Sequence, residues 1–140
     1  MLNLETDTIA QLAEIPTVTA VKQANPDLEQ ARAIVALGLA LYAGDDDLLL
    51  PFLELGGTGG VCVHTHLVGP QVKELITRFT EGDVEGARTL DEEIRPSLEI
   101  LKVQANPIAI KAALNLLGHD VGGLRLPLVE ANEAELEQVR

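Results

Sequence analysis

The sequence predicts an α/β fold in which a short parallel sheet, built from strand–helix units, is followed by a helical tail. Three observations carry this expectation. Apolar runs at 17–22, 39–43 and 60–64 are centred on Ala20, Leu41 and Cys62, about 21 residues apart each time. Helical patterns about ten residues long follow the first two runs. Beyond His66 no strand signal is strong, and the apolar spacing becomes helical throughout. Fully buried parallel strands read as continuous apolar runs. Their alternation with helices every ~20 residues is the mark of βαβ units.

Taken in order, residues 6–14 form a predicted helix ahead of the first strand. The first strand, 17–22, ends on Lys22. Asn25-Pro26 then supplies a helix N-cap and a first helical position. Leu28, Ala31, Ile34 and Val35 recur at helical spacing and stop at Gly38. The second strand, 39–43, runs into Gly44-Asp45-Asp46-Asp47 and a helix over 48–55. Pro51 is tolerable there if it lies in the first turn. Gly56-Gly57 ends that helix, and the third strand follows at 60–64. After Gly69-Pro70, a helical face of Val72, Leu75, Ile76 and Phe79 is expected. From Asp83, Val84, Ala87, Leu90, Ile94, Leu98, Leu101 and Ala105 mark one face of a long helix that breaks near Pro96. A helix restarts at Asn106-Pro107 and closes at Gly118. A last polar helix begins near Asn132.

Bulk composition narrows the function classes. The 140 residues suit one domain with a real core. Aromatics are 2% of the chain, so Leu, Val, Ile and Ala must build that core, and stacking platforms for single-stranded nucleic acid are disfavoured. A formal charge of -12 without a basic stripe argues against nucleic acid and anionic membranes as partners. No stretch approaches the ~20 apolar residues of a membrane span. The single cysteine, Cys62, excludes an internal disulfide and fits a reducing cytoplasm. Residues 1–7 carry no basic, apolar leader pattern, so a cytoplasmic protein is expected.

Lys22 is the candidate with the most chemistry. Its amine stands at the end of a predicted buried strand, where parallel-sheet enzymes place their catalytic groups. It is either a solvated strand end or a nucleophile made reactive by its surroundings. Other signals have simpler readings. His64 and His66 would face one side of a strand, a spacing that can serve zinc, but no third ligand is evident and no metal is expected. Asp45-Asp46-Asp47 reads as a helix N-terminal cap. Gly56-Gly57-Thr58-Gly59-Gly60 precedes a strand and lacks a following Lys-Ser/Thr, so it reads as a tight turn rather than a phosphate loop. Cys62 reads as a small buried apolar residue. No cofactor is expected.

Five segments carry a family resemblance: Val18-Thr19-Ala20-Val21-Lys22-Gln23-Ala24, Leu41-Tyr42-Ala43-Gly44-Asp45-Asp46, Leu55-Gly56-Gly57-Thr58-Gly59-Gly60-Val61-Cys62-Val63, Asn106-Pro107-Ile108-Ala109-Ile110-Lys111-Ala112-Ala113 and Leu124-Arg125-Leu126-Pro127-Leu128. In this order and spacing the chain resembles the C-terminal half of the dihydrodipicolinate synthase family. That family belongs to the pyruvate-dependent class I aldolases and lyases, which include N-acetylneuraminate lyase. The Asn-Pro-Ile and Arg-Leu-Pro-Leu segments favour the dipicolinate branch.

The resemblance implies a partial (β/α)8 TIM barrel, its last three βα units, over 1–81 and a C-terminal helical extension over 82–140. It implies a Schiff-base lyase that condenses pyruvate with aspartate semialdehyde in lysine biosynthesis. Lys22 matches the lysine that forms the imine with pyruvate. Val61 matches a position whose backbone carbonyl contacts the pyruvate-derived group, with core packing as its alternative reading. Gly44 matches a strand-end glycine that leaves room for substrate, with a tight turn as its alternative.

The match also has gaps. The family's proton-relaying tyrosine, its threonine–tyrosine partners and its carboxylate-gripping arginine belong to the N-terminal half. Tyr42, the only tyrosine, matches none of them. An asparagine common in the family near His66 is absent, and the two histidines are expected to line the barrel mouth. A chain with this content is expected to have little activity alone. Its expected partners, besides pyruvate, are an N-terminal half-barrel or another copy of itself, in a homo-oligomer. The competing expectation is a non-catalytic half-barrel or assembly module that pairs its sheet edges.

Overall fold

The computed structural model describes residues 2–140 and divides the chain into two compact units, Met1–Cys62 and Val63–Arg140. The first unit runs α1 (Thr6–Ala13), β1 (Ala20–Gln23), α2 (Leu28–Ala36), β2 (Ala40–Ala43), a 3-10 turn (Asp46–Leu48), α3 (Leu49–Glu54) and β3 (Gly59–Gly60). Its sheet has the order β1-β2-β3, and both pairings are parallel. Parallel neighbours require a crossover connection between them, and the segments that contain α2 and α3 supply it.

The strands are shorter than the apolar runs suggest. Ala20 pairs with Ala40 and Gln23 with Ala43, while Tyr42 and Ala43 pair with Gly59 and Gly60. The third strand was expected at 60–64 but stops at Gly60. The Val61 amide still donates to Ala43 O at 2.8 Å. The β2–β3 ladder ends with the pair Ala43–Gly60, and residues 62–64 lie outside the strand. Val61 and Val63 read as strand because β-branched residues favour it, and propensity alone does not reveal that the neighbouring strand has ended.

Helix boundaries follow local chemistry. The N-cap of α2 is Asp27, whose carboxylate accepts from Gln30 N at 3.0 Å. It therefore lies two residues beyond the expected Asn25-Pro26, which forms the turn ahead of it. Pro51 is the third residue of α3, where its missing N–H has no intrahelical acceptor to lose. Gly57 closes this helix: its amide donates to Phe52 O at 2.7 Å, and a Cβ there would lie 2.6 Å from the same oxygen. Ile34, Leu41, Ala43, Leu49 and Phe52 are essentially inaccessible to solvent. Each large side chain of that group contributes about 1.5–3 kcal/mol through burial.

The second unit is helical: α4 (Thr65–Thr80), α5 (Val84–Ile94), α6 (Pro96–Lys102), α7 (Ile108–Leu116) and α8 (Glu133–Val139). Helix α4 starts earlier than Gly69-Pro70 suggests and breaks at Val68 (φ -125, ψ 32), two residues before Pro70. The expected long helix divides as predicted at Pro96, which opens α6. Asp83 caps α5 through Gly86 N at 3.0 Å. Asn132 and Glu135 form a reciprocal capping box on α8. Val72, Leu75, Ala87, Ile94, Leu98 and Ile108 are buried in this unit. Among the described residues no helix is long and apolar enough to cross a membrane.

Candidate active site

Side-chain alternation sorts the sheet into two faces. Leu41 and Ala43 are fully buried, and Gln23 is 4% exposed on the same side. Ala20 and Lys22 alternate with these and are exposed, and Tyr42 is half-buried. Lys22 therefore projects from the less covered face, one residue before the end of β1. The apolar strand does not bury its amine within this chain. The register places Tyr42 directly beside Lys22 on β2.

The strand ends around Lys22 are tightly joined. The Gly44 amide donates to Gln23 O at 2.7 Å. A Cβ on Gly44 would sit 2.9 Å from that oxygen and 3.0 Å from the Ala24 Cβ. The close approach of β1 thus favours glycine at 44, a reason that the sequence reading did not include. Val61 follows β3 with its side chain 54% exposed, so it is not a core residue.

A hydrogen-bond network that the sequence did not announce braces the exit from β1. Gln23 Nε2 donates to Asn25 O (3.1 Å), Asn25 Oδ1 (2.9 Å) and Asp27 O (2.8 Å). Three acceptors fix which end of the amide is nitrogen. Asn25 Nδ2 continues to Gln30 Oε1 at 3.1 Å, and Gln30 Nε2 reaches Leu4 O at 2.8 Å. Gln23 Oε1 is left buried without a partner among the described residues, a condition that costs about 1–3 kcal/mol. The only sequence signal was a glutamine at an inward parity of the strand.

Acidic and thiol groups surround the same strand ends. Asp45 Oδ1 accepts from Asp46 N at 3.0 Å, the capping role expected of it. Cys62 Sγ lies 3.9 Å from Ala43 O. Burial pushes its thiol up to about 12, with Asp46 adding to the shift and the Lys22 charge opposing it. Cys62 is thus half-buried and protonated near neutral pH. The two histidines do not share a strand face. His64 is 1% exposed and stands at the N-terminus of α4, and His66 is exposed within its first turn. Their placement on a helix follows from the early end of β3.

Comparison with known proteins adds the decisive observation: residues 1–140 match the dihydrodipicolinate synthetase family. The chain belongs to that family. A 4-hydroxy-tetrahydrodipicolinate synthase from a Cyanothece species is 48% identical over 99% of this chain. The corresponding enzyme of Thermosynechococcus vestitus is 43% identical, also over 99%. Among solved structures, a dihydrodipicolinate synthase from Cyanidioschyzon merolae with lysine bound has a TM-score of 0.93 at 40% identity. One from Acinetobacter baumannii complexed with pyruvate has a TM-score of 0.89 at 33% identity. They cover 99% and 98% of this chain. In each case the chain spans about half the length of its relative, 48%.

Proposed function

We propose that this chain is the C-terminal half of a dihydrodipicolinate synthase-type barrel and carries its Schiff-base lysine. Residues 1–81 form the last three βα units of a (β/α)8 barrel, and 82–140 form the helical extension. The observation that carries the reading is the position of Lys22, near the C-terminal end of the first strand and within the first of the five segments that carry the resemblance. A neutral Lys22 amine attacks the ketone of pyruvate, water leaves, and the protonated imine lets the adjacent methyl carbon lose a proton to solvent, its C–H electrons forming the C=C bond of an enamine. The resulting enamine adds to the aldehyde of aspartate semialdehyde. The Val61 backbone carbonyl and the space at Gly44 border the pyruvate-derived group.

The complete site needs the other half-barrel, or another copy of this chain, to cover the exposed face on which Lys22 stands. Covering that face would desolvate the amine and favour its neutral form. By itself the chain turns over slowly, because the family's proton-relaying groups belong to the other half. The single cysteine suits a reducing, cytoplasmic setting for the assembled enzyme. The second reading, a non-catalytic half-barrel, is favoured by the exposure of Lys22. A different pyruvate-dependent aldolase, such as N-acetylneuraminate lyase, shares the first half of the chemistry.

Borohydride reduction in the presence of pyruvate, followed by peptide mapping, tests this proposal. The expected product is an Nε-(1-carboxyethyl) adduct on Lys22, absent in Lys22→Arg. An unmodified Lys22, with other lysines equally or more labelled, would refute the Schiff-base role.

A further inference from the structure

We infer that the second unit carries a binding site for a small aliphatic α-amino acid, in a cavity between α7, α8 and the loop that joins them. The cavity has a volume of about 280 Å³. Cavities for drug-sized ligands run from ~300 Å³ upwards, so this one suits a smaller molecule. Ile108, Leu116, Leu124 and Leu136 give it an apolar wall, and Lys111, Asn115 and Glu130 are polar side chains on the same lining. All of these residues lie in the unit Val63–Arg140, and the inference does not rest on the Schiff-base reading of Lys22.

Charge selects the ligand. The Lys111 ammonium donates to Gly123 O at 2.5 Å, which leaves two of its three N–H bonds for another acceptor. Glu130 approaches the same glycine: a Cβ on Gly123 would lie 3.2 Å from Glu130 Oε1. Among the described residues Glu130 has no hydrogen-bond or ion-pair partner, Lys111 included. A cation and an anion thus stand beside one residue without pairing. Asn115 Oδ1 accepts from Val121 N at 3.2 Å, so its amide nitrogen is left as a donor. A ligand carboxylate meets Lys111 and Asn115, and the ligand ammonium meets Glu130. A plain anion would face the Glu130 charge, and a plain amine the Lys111 charge. A polar ligand side chain would be left without partners against the apolar wall.

Leucine is the probe, titrated into the full 140-residue chain and followed by the NMR shifts of the Val121, Gly122 and Gly123 amides. Saturable shifts at these three are expected. Glycine lacks the side chain, 4-methylpentanoate the ammonium and 3-methylbutylamine the carboxylate, and each is expected to bind at least ~10-fold more weakly. Glu130→Gln is the deciding variant, because it removes the charge at a residue that holds no hydrogen bond in the free chain. It is expected to weaken leucine at least ~5-fold, while 4-methylpentanoate, relieved of a like charge, binds as well as before or better. An equal loss for both ligands overturns the site, because the substitution then acts on the wall and not on the ammonium. Absence of saturable shifts at the three amides overturns it, as does equal binding of leucine and 4-methylpentanoate to the unsubstituted chain.

Discussion

Cys62 shows how one side chain reports on its surroundings. Its thiol is raised from about 9 to about 12 by burial and by the neighbouring carboxylates of Asp46 and Asp45, against the opposing charge of Lys22. An acid held protonated in the folded state binds more protons there than in the unfolded chain. Stability therefore falls as pH rises from about 9 towards about 12. Iodoacetamide, which reacts with thiolate, should label the native chain slowly at pH 8 and faster once the chain is unfolded in urea. In Cys62→Ser the stability loss above pH 9 should be smaller, as urea titrations at pH 8 and pH 10 would show. Equal labelling of folded and unfolded chain would contradict the raised value. Lys22 makes the opposite point. Its strand and its place in that strand were legible, but its exposure was not, because the sequence does not say what covers that face.

At the level of elements, capping groups rather than apolar spacing set the boundaries. Asp27 starts α2 because its carboxylate reaches Gln30 N, and Asn25 is occupied instead by Gln23 Nε2 and Asp27 N. Asp27→Ala should cost about 1 kcal/mol in urea unfolding, in the range for lost N-caps. Asn25→Ala removes two contacts of the network braced by Gln23 and Gln30, so its cost should equal or exceed that of Asp27→Ala. The reverse order would mean that Asn25 is the effective cap. The helices themselves were readable from their spacing: α1, the division at Pro96, the stop at Gly118 and the start at Asn132 lie where the sequence puts them. The end of β3 was not, since it depends on where β2 leaves the ladder.

At the scale of the whole molecule, the three-stranded sheet leaves β1 and β3 with a strand neighbour on one side only among the described residues. Such edges invite pairing, and the chain spans 48% of its first relative. A formal charge of -12 opposes self-association at low salt. Native mass spectrometry and light scattering should show association that strengthens with ionic strength if copies pair with one another. Mixed with the N-terminal half of the Cyanothece relative, the chain should form a heteromeric complex and gain pyruvate trapping. Absence of both associations would count against the half-enzyme and against a module that pairs its sheet edges. The exposed ion pairs, such as Arg32–Glu29 and Arg78–Glu74, lie within single helices and add little to stability.

The sequence by itself determined the α/β class, the parallel order of the units, the family and Lys22 as the reactive candidate. Periodicity and local motifs are properties of contiguous residues, so one chain suffices to read them. The tertiary structure decided that Tyr42 stands beside Lys22, that Gly44 serves the approach of β1, that Gln23 braces the strand exit, and that His64 and His66 open a helix. Each depends on register or on where a neighbouring strand ends. Those distances are fixed only when segments some 20 residues apart are laid side by side.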